Sequence, residues 1–495
     1  MCRILQSGFP CSYRRQDVRL GVGTYDRGSL FPGARKRWCV LRDFADPDKN
    51  YLRLLLVEPS SRFILARRDG LSWRLPRVAI PRWSRIAANL LAELKQQFGI
   101  QAIVLDELEA PSCDSLVLAE VIACRQPMGD GLFAWCTLGD LAADEFLESE
   151  FKIVQNLLLN GATGRGQFSR LGWIREVLAW VAVHFEVNPN EFVDITQLNA
   201  SSNSTLIRLQ RAKGPAVWFK SVDDSEMSEY RITVALISQF PDYLPTLLGT
   251  HVGWHAWLME DAGRPLDEID NVRPRVFEEV AHHLAELQKA SACAIPSLLK
   301  QGCADLRISV LRSRMPEVMT DLEEAVETPD FGRYSYLRRA RIQELHQIFE
   351  EAAAQLEAVG VPDTLVHGDI NVGNILIADG SCVFTDWAQA GIGNPLANFE
   401  QLRIQVAQHR DAPVIHHRLL AAYMRAWSTQ LTPSQIRSAF AAAPPIAIAM
   451  YIQNRRDWFN RERLQEPHFV RYARSMARQM DRAVREFQSR AALTA

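Results

Sequence analysis

Short apolar runs with the two-residue period of β-strands fill most of residues 37–160, and one helical stretch interrupts them. The helix is predicted in RIAANLLAELKQQF and ends at Gly99, because glycine readily adopts the left-handed conformation of a helix end. The glycines of NGATGRGQFSR (160–170) predict a linker. The pattern therefore predicts an α+β domain over 37–160. Its strands are predicted in the runs WCVLRDF, YLRLLLVEP, RFILARR, IQAIVLDEL, LVLAEVIA and LFAWCTL.

The rest of the chain changes from strands to helices. Residues 161–190 predict a linker and a connecting helix, LGWIREVLAWVAVHF, with helical periodicity. Residues 191–262 predict a small β-rich region with one helix, and residues 263–490 predict a large, mainly helical region. The strands of the β-rich region are predicted in FVDITQL, TLIRLQ, AVWFKSV and WHAWLMED, and its helix in SEMSEYRITVALISQF.

Composition places the chain among soluble globular proteins, with 47% apolar and 23% charged residues. No apolar run approaches the roughly 18 residues of a membrane span, and the N-terminus lacks the apolar core of a secretory signal. The nine cysteines form no C-x-x-C pair, so we expect reduced thiols and a cytoplasmic protein. Residues 1–36 are expected to be a disordered leader, with a weak resemblance to an organelle presequence as the alternative.

The stretch LVHGDINVGNILIADGSCVFTDW (365–387) places four polar residues between runs that predict strands: His367, Asp369, Asn374 and Asp386. Polar groups between buried strands are costly unless chemistry or hydrogen bonding uses them. One carboxylate, one amide oxygen and a second carboxylate suit phosphoryl transfer to a hydroxyl, in which the first orients the hydroxyl and the others hold Mg²⁺. The structural alternative is a hairpin whose polar residues only cap and turn.

The order H-G-D-x-x-x-x-N followed by D-W resembles the aminoglycoside phosphotransferase and choline kinase family over residues 170–490. The resemblance implies a bilobal, protein-kinase-like fold that uses ATP or GTP with Mg²⁺. It implies that Asp369 is the catalytic base, that Asn374 and Asp386 are metal ligands, and that His367 braces the catalytic loop.

Two asparagines depart from the family pattern in the continuation QAGIGNPLANF. Acids are common in the family at the positions of Asn394 and Asn398. The usual bracing of the loop is therefore in doubt.

The nucleotide-binding lysine is predicted at Lys220, in the middle of the strand AVWFKSV. Its ammonium needs a partner among apolar neighbours. Glu229 is preferred to Glu226, because E-x-x-x-T-x-x-L from Glu229 resembles the family's form. The alternatives are an edge lysine with a solvated tip and an exposed helix glutamate.

Two further segments are placed by the resemblance around the nucleotide. LNASSNSTLIRL brings Ser201, Ser202 and Asn203 to the position of a phosphate-covering loop, although it has no glycine and an ordinary polar turn is the alternative. WLMEDAG resembles the segment that links the lobes, and it places Met259, Glu260 and Asp261 near the nucleotide base.

The segment RLPRVAIPRWSRIAANLLAELKQQFGI (74–100) resembles the helix-bearing box of Nudix hydrolases. That chemistry needs several glutamates on one helix to bind Mg²⁺. Only Glu93 is present, so we expect a degenerate Nudix-like α/β/α domain without hydrolase activity that serves as a binding or structural module. The alternative is an unrelated small α+β domain. The matching positions hold Val78, Ser84, Ala92, Glu93, Gln96 and Gln97.

We therefore expect an α+β multidomain phosphotransferase that acts on a hydroxyl of a small molecule. The arginine-rich segment NRRDWFNRERL (454–464) favours a neutral or anionic acceptor, because like charges in a poorly screened cleft repel. The alternative for the C-terminal arginines is one basic helix stripe (Arg471, Arg474, Arg478, Arg482 and Arg485), solvated or packed on acids.

Other functions stay open at the level of sequence. They are a nucleotide-binding pseudokinase or regulatory protein, a Nudix-type hydrolase of nucleotide derivatives, and a kinase acting on a protein side chain. Neither membrane nor nucleic-acid binding is expected, since no span is present and no regular aromatic spacing accompanies the basic residues.

Overall fold

In the computed structural model the chain is described over residues 49–81, 86–108, 115–124, 131–160, 166–201, 203–328, 337–378, 380–407, 412–455 and 467–494. The predicted leader, the predicted strand WCVLRDF, Ser84 and Ser202 lie outside these residues. The contacts divide the chain into two compact units. The first comprises the described residues up to Asp224 with Val252–Trp254, and the second comprises Ser225–His251 with the residues from His255 onward.

The first unit contains a mixed sheet in the order β3-β2-β1-β6-β5, with β4 also pairing with β1 and β7 with β2. β1 and β6 run parallel, and the other pairs are antiparallel. The strands are β1 (Lys49–Val57), β2 (Ile64–Asp69), β3 (Ser72–Arg74), β4 (Arg77–Pro81), β5 (Ile100–Leu108), β6 (Ser115–Cys124) and β7 (Phe133–Cys136).

The helix α1 (Ile86–Phe98) covers one face of this sheet. Ala87, Leu90 and Leu94 are buried at helical spacing, so the predicted amphipathic helix is confirmed. A second helix, α2 (Glu148–Asn160), buries Val154 and Leu157 and was not predicted. The strands β3 and β4 were not predicted either, since runs this short carry little periodicity.

The first unit continues into α3 (Trp173–Phe185) and the antiparallel strands β8 (Phe192–Ala200), β9 (Ser204–Arg211) and β10 (Val217–Val222). Trp173 of α3 makes edge-to-face contacts with Phe219 and Trp254. These contacts explain why the short segment Val252–Trp254 belongs to this unit.

Buried hydrogen bonds join β8 to the N-terminal sheet. The side chain of Gln197, only 2% exposed, accepts a hydrogen bond from Val104 N and donates one to Val104 O, both at 2.8 Å. It also donates to Thr205 Oγ1 at 3.0 Å. The carboxylate of Glu120 accepts from Gly172 N at 2.7 Å. Segments on both sides of the predicted linker thus pack within one unit, and the domain boundaries remain predictions.

The second unit is mainly helical, as predicted. Besides the antiparallel pair β11–β12, it holds two three-stranded sheets in the orders β13-β16-β17 and β14-β18-β15. The helices are α4 (Met227–Gln239), α5 (Pro274–Ser291), α6 (Ile295–Gln301), α7 (Ile308–Glu327), α8 (Arg339–Val359), α9 (Pro395–Val406), α10 (Ala412–Trp427), α11 (Pro433–Asn454) and α12 (Pro467–Thr494). The strands are β11 (Leu247–His251), β12 (Ala256–Glu260), β13 (Arg264–Pro265), β14 (Ala304–Leu306), β15 (Thr364–Val366), β16 (Ile375–Ala378), β17 (Ser381–Phe384) and β18 (Gly391–Gly393).

The helix α11 forms the centre of the helical core. Its residues 441–453 are buried, because α7, α8, α9 and α12 pack around it. A helix that is apolar on all sides is stable in water only when it is covered in this way. Among the described helices, none combines the length and apolar character needed to cross a bilayer.

The predicted continuous basic stripe on α12 is wrong at Arg474. This arginine is 6% exposed and donates to the carbonyl oxygens of Ala325 and Thr328 at the end of α7. The last carbonyls of a helix have no partner within the helix, and a buried guanidinium can supply one. On the same helix, Asp481 accepts from Arg341 Nε of α8 at 2.8 Å, so here the acid lies on α12 and the arginine on the helix that packs against it.

Candidate active site

The predicted catalytic loop lies between the buried strands β15 and β16. After β15 the chain turns at Gly368, whose φ of +75° favours glycine. A Cβ at this position would overlap Gln389 O and Asn454 Nδ2, so glycine is required for space as well. Asp369 follows with 9% of its surface exposed. A short 3-10 turn, Val372–Asn374, then leads into β16.

Three hydrogen bonds join the predicted catalytic residues. Asn374 Nδ2 donates to Asp369 O at 3.0 Å, and Thr385 N donates to Asn374 O at 3.0 Å. His367 Nε2 donates to Thr385 O at 2.8 Å. Asp386 is the residue directly after Thr385, at the end of the hairpin β16–β17. The structure thus brings the loop of Asp369 together with Asn374 and the start of the Asp386 turn.

The imidazole of His367 is buried and has the geometry of a brace. Its ring lies 4.4 Å from the Trp387 ring, centroid to centroid. Burial lowers its pKa from 6.5, although the Thr385 carbonyl and the charge of Asp386 act in the opposite direction. The ring is therefore neutral near pH 7, and its Nε2 carries the proton donated to Thr385 O.

The two asparagines that depart from the family pattern both have defined contacts. Asn394 caps α9, since its Oδ1 accepts from Leu396 N and Ala397 N at 3.0 and 3.1 Å. Asn398 is fully buried, and its Oδ1 accepts from His367 N and Gln288 Nε2, both at 3.3 Å. An amide at this position therefore holds the start of the catalytic loop.

Asn374 and Asp386 offer oxygen ligands that suit Mg²⁺. The Nδ2 of Asn374 is used by Asp369 O, which leaves Oδ1 as the atom for a cation. Asp386 is exposed and has a left-handed backbone with φ of 66°, a strained conformation typical of functional sites. Among the described residues, no group of three or more His, Cys, Asp or Glu could hold a metal alone. Mg²⁺ commonly binds through one or two protein ligands plus substrate phosphates, so this donor set fits.

Glu229 lies on α4 and is 4% exposed, so the alternative of an exposed helix glutamate is wrong. The helix α4 packs against the turn Trp387–Gln389, which directly follows Asp386. Glu226, the other candidate, precedes the first residue of α4 and is half-buried. Of the two candidate glutamates, Glu229 is therefore the one that is buried.

The segment WLMEDAG, predicted to link the lobes, leads into a strand that pairs with the hairpin β16–β17. Met259 is buried on β12, Glu260 is exposed, and Asp261 Oδ1 accepts from Gly263 N at 3.4 Å. The following strand β13 pairs with β16 through Arg264 and Ile377. This pairing places the end of the segment beside β16, the strand that directly follows Asn374.

Lys220 and the predicted phosphate loop belong to the first unit. Lys220 is half-buried on β10 and pairs with Leu206 of β9. Ser201 Oγ accepts from Ser204 N at 3.0 Å and from Asn203 N at 3.3 Å. The Ser201 hydroxyl thus closes the turn between β8 and β9, as an ordinary polar turn would also require.

The helix α1 lies within the segment that was predicted to be a degenerate Nudix-like box. Glu93 lies on α1 and accepts from Gln97 Nε2 at 2.6 Å. Ala92 and Gln96 are exposed on the same helix, and Val78 is buried on β4. These positions present one carboxylate, in agreement with the sequence.

Four residues near the catalytic loop were not predicted: Gly368 as a packing requirement, Thr385, Gln389 and Asn454. Thr385 and Gln389 act through backbone atoms, which any residue type provides, so no sequence signal was available. The glycine of H-G-D was visible in the motif. Asn454 is separated from Gln389 by 65 residues, and only the tertiary fold brings them together.

The model of the phosphotransferase enzyme family matches residues 226–436. No curated protein matches the chain. Among solved structures, the chain is similar to a macrolide 2'-phosphotransferase from Brachybacterium faecium, with 14% identity, a TM-score of 0.42 and coverage of 61% of this chain and 96% of that one. It is similar to an ethanolamine kinase from Plasmodium vivax, with 15% identity, a TM-score of 0.42 and coverage of 70% and 97%. It is also similar to a choline kinase from Cryptosporidium parvum, with 12% identity, a TM-score of 0.42 and coverage of 64% of this chain and 95% of that one.

Proposed function

We propose that the chain transfers the terminal phosphoryl group of ATP, or of GTP, to a hydroxyl of a small molecule, on the support of the match between residues 226–436 and the model of the phosphotransferase enzyme family. The observation that carries the proposal is the set of hydrogen bonds that joins Asp369, Asn374 and Thr385 next to Asp386. A carboxylate for the hydroxyl then lies in the loop before the hairpin β16–β17, and two oxygen ligands for a cation lie at the two ends of that hairpin.

In the proposed mechanism, Asp369 orients the acceptor hydroxyl and receives its proton during in-line attack. Asn374 and Asp386 would hold Mg²⁺, which, when bound, neutralises the charge of the transferred phosphoryl group. His367 braces the loop through its hydrogen bond to Thr385 O, and burial lowers the pKa of its ring, which keeps the ring neutral near pH 7.

The remaining predicted residues would bind the nucleotide. Lys220 would contact the α and β phosphates, with Glu229 as its partner. Ser201, Ser202 and Asn203 would cover the phosphates. Met259, Glu260 and Asp261 would lie beside the base. The proposed fold is protein-kinase-like, and its support is a β-rich region followed in the chain by a helical region.

The acceptor is proposed to be a neutral or anionic hydroxylated metabolite. Two arginines of α12 are engaged elsewhere: Arg474 donates to backbone carbonyls, and Arg490 Nη2 pairs with the buried Glu400 at 3.1 Å. The preference for a neutral or anionic acceptor over a cationic one therefore rests on the charges of Arg456, Arg461 and Arg463, which lie outside the described residues.

We propose that residues 37–160 form a Nudix-like domain without hydrolase activity. The support is the single glutamate, Glu93, on α1. One carboxylate cannot hold the metal ions of that reaction.

The test is a screen of hydroxylated metabolites for nucleotide-dependent phosphate transfer by the full chain. Asp369→Ala should abolish the transfer, and Asp386→Ala should lower turnover by at least roughly 10³-fold, about 4 kcal/mol of barrier. Asp242→Ala, at an exposed aspartate in the turn Pro241–Tyr243, is the matched control and should keep the wild-type rate.

Each rival function gives a different result in the same experiment. A pseudokinase would bind nucleotide, yet no acceptor would be phosphorylated. A Nudix-type hydrolase would cleave nucleoside diphosphate compounds in the Asp369→Ala variant as fast as in the wild type. A near-normal rate of phosphate transfer in Asp386→Ala would contradict the metal-binding role.

A further inference from the structure

The last residue of α11, Asn454, touches both loops of the candidate active site. Its Nδ2 donates to Gln389 O at 2.6 Å. The same amide nitrogen occupies the space into which a Cβ on Gly368 would project. Gly368 directly precedes Asp369, and Gln389 lies three residues after Asp386. One side-chain amide therefore lies between the chain segment that carries the predicted base and the segment that carries a predicted metal ligand.

The turn that Asn454 contacts is itself rigid. Ala390 N donates to Trp387 O at 3.0 Å, which closes the turn Trp387–Gln389. Trp387 is buried, and its Nε1 donates to Phe384 O at 3.2 Å. A displacement of the Gln389 carbonyl would therefore also displace Asp386, at the start of the same turn.

The neighbours of Asn454 fix its position from both sides. Gln453 is 4% exposed, and its Nε2 donates to Leu311 O of α7 at 2.9 Å. The guanidinium of Arg455 bonds Tyr451 OH at 3.0 Å and lies over the Tyr472 ring of α12, 5.8 Å from its centroid. The end of α11 is therefore anchored to α7 and α12, and a short side chain with few rotamers extends from it to the two loops.

We propose that Asn454 is a positioning residue that fixes the spacing between Asp369 and Asp386. The inference rests on the proposed function, since it assumes that Asp386 binds the metal and that Asp369 is the base. Loss of the amide frees the Gln389 carbonyl and opens space beside Gly368, so both loops can shift. A shift of about 1 Å in such a site can lower the rate roughly 10²-fold.

The experiment measures metal binding separately from turnover, with the full-length chain. Mn²⁺ is titrated into protein saturated with ADP, and free Mn²⁺ is followed by electron paramagnetic resonance. Asn454→Ala removes the amide, while Asn454→Asp keeps its shape but replaces the donor with a carboxylate facing a carbonyl oxygen. Both variants should bind Mn²⁺ roughly tenfold more weakly and should lose roughly 10- to 100-fold in kcat, with an unchanged KM for the acceptor.

The matched control is Gln355→Ala. Gln355 Nε2 donates to Ser438 O near the other end of α11 at 2.9 Å, so this variant also loses an amide–carbonyl bond to the same helix. It should keep the wild-type affinity for Mn²⁺. Asp386→Ala is the second reference and should lose Mn²⁺ binding almost entirely.

The outcomes separate this inference from the proposed function. If the wild type binds no Mn²⁺ with ADP, or if Asp386→Ala binds it normally, the proposed function fails. If those two behave as expected but the Asn454 variants bind Mn²⁺ like the wild type, the positioning role is refuted. Circular dichroism checks folding. Failure of both Asn454 variants to fold would assign the residue to stability and would also overturn the inference.

Discussion

Replacing Gly368 with alanine tests how tightly the catalytic loop is packed. The residue has φ of +75°, and an added Cβ would overlap Gln389 O and Asn454 Nδ2. A non-glycine residue in the left-handed region costs about 1–2 kcal/mol, and overpacking adds about 1–3 kcal/mol. The Gly368→Ala variant should therefore lose about 2–5 kcal/mol of unfolding free energy.

The same overlap should change activity. Real Cβ atoms do not approach other heavy atoms closer than 3.0 Å, so Gln389 O and the loop must separate by about 1 Å. Because Asp369 is the next residue, we expect turnover to fall roughly 10²-fold in the phosphate-transfer assay. Mn²⁺ binding in the presence of ADP should weaken as well, since Gln389 belongs to the turn that follows Asp386.

Gly360→Ala separates backbone strain from overlap. Gly360 follows α8 with φ of +71°, and a Cβ there would meet no atom within 4 Å. This control should lose only about 1–2 kcal/mol and should keep full activity. Urea unfolding followed by circular dichroism gives the stabilities. Equal destabilisation of the two variants, or normal turnover in Gly368→Ala, would refute the packing argument.

Two further predictions concern the residues that hold the loop. Asn398→Ala should lower the free energy of unfolding by about 2–4 kcal/mol, because the buried His367 N and Gln288 Nε2 lose Asn398 Oδ1 as an acceptor. Urea unfolding measures this change, and a loss below about 0.5 kcal/mol would contradict the prediction. Burial lowers the pKa of His367 in the folded protein, so the stability that depends on its neutral ring is present above the ordinary pKa of 6.5 and is lost progressively as the pH falls below it. His367→Gln should flatten this part of the stability–pH profile, and an unchanged slope would show that the ring is not held neutral.

The grouping of the candidate site residues around the hairpin β16–β17 could be predicted, because the sequence patterns that indicate it are local. His367, Asp369, Asn374 and Asp386 lie within one short stretch, where strand patterns and turn residues fix which side chains end up together. Glu229 was preferred because E-x-x-x-T-x-x-L resembles the family's form, and its burial on α4 agrees with that preference. For these residues, neighbours in sequence are neighbours in space.

The contacts that hold the hairpin in place could not be predicted, because they join distant parts of the chain. Asn398 bonds His367 N across 31 residues, and Asn454 bonds Gln389 O across 65. Their partners are backbone atoms that carry no residue-specific pattern. Arg474 could not be predicted for the same reason. Its helical spacing suggested a solvated stripe, whereas its guanidinium is buried and donates to the carbonyl oxygens of Ala325 and Thr328.

The two hydrogen bonds between the Gln197 side chain and the Val104 backbone make the N-terminal sheet a structural support for β8. Strand β8 leads directly into the Ser201 turn, and α1 packs on β8 from the N-terminal side. A protein shortened to start after the glycine-rich segment would leave this amide and the covered face of β8 in water. The N-terminal sheet therefore serves the rest of the unit as packing support for β8, whatever else it binds.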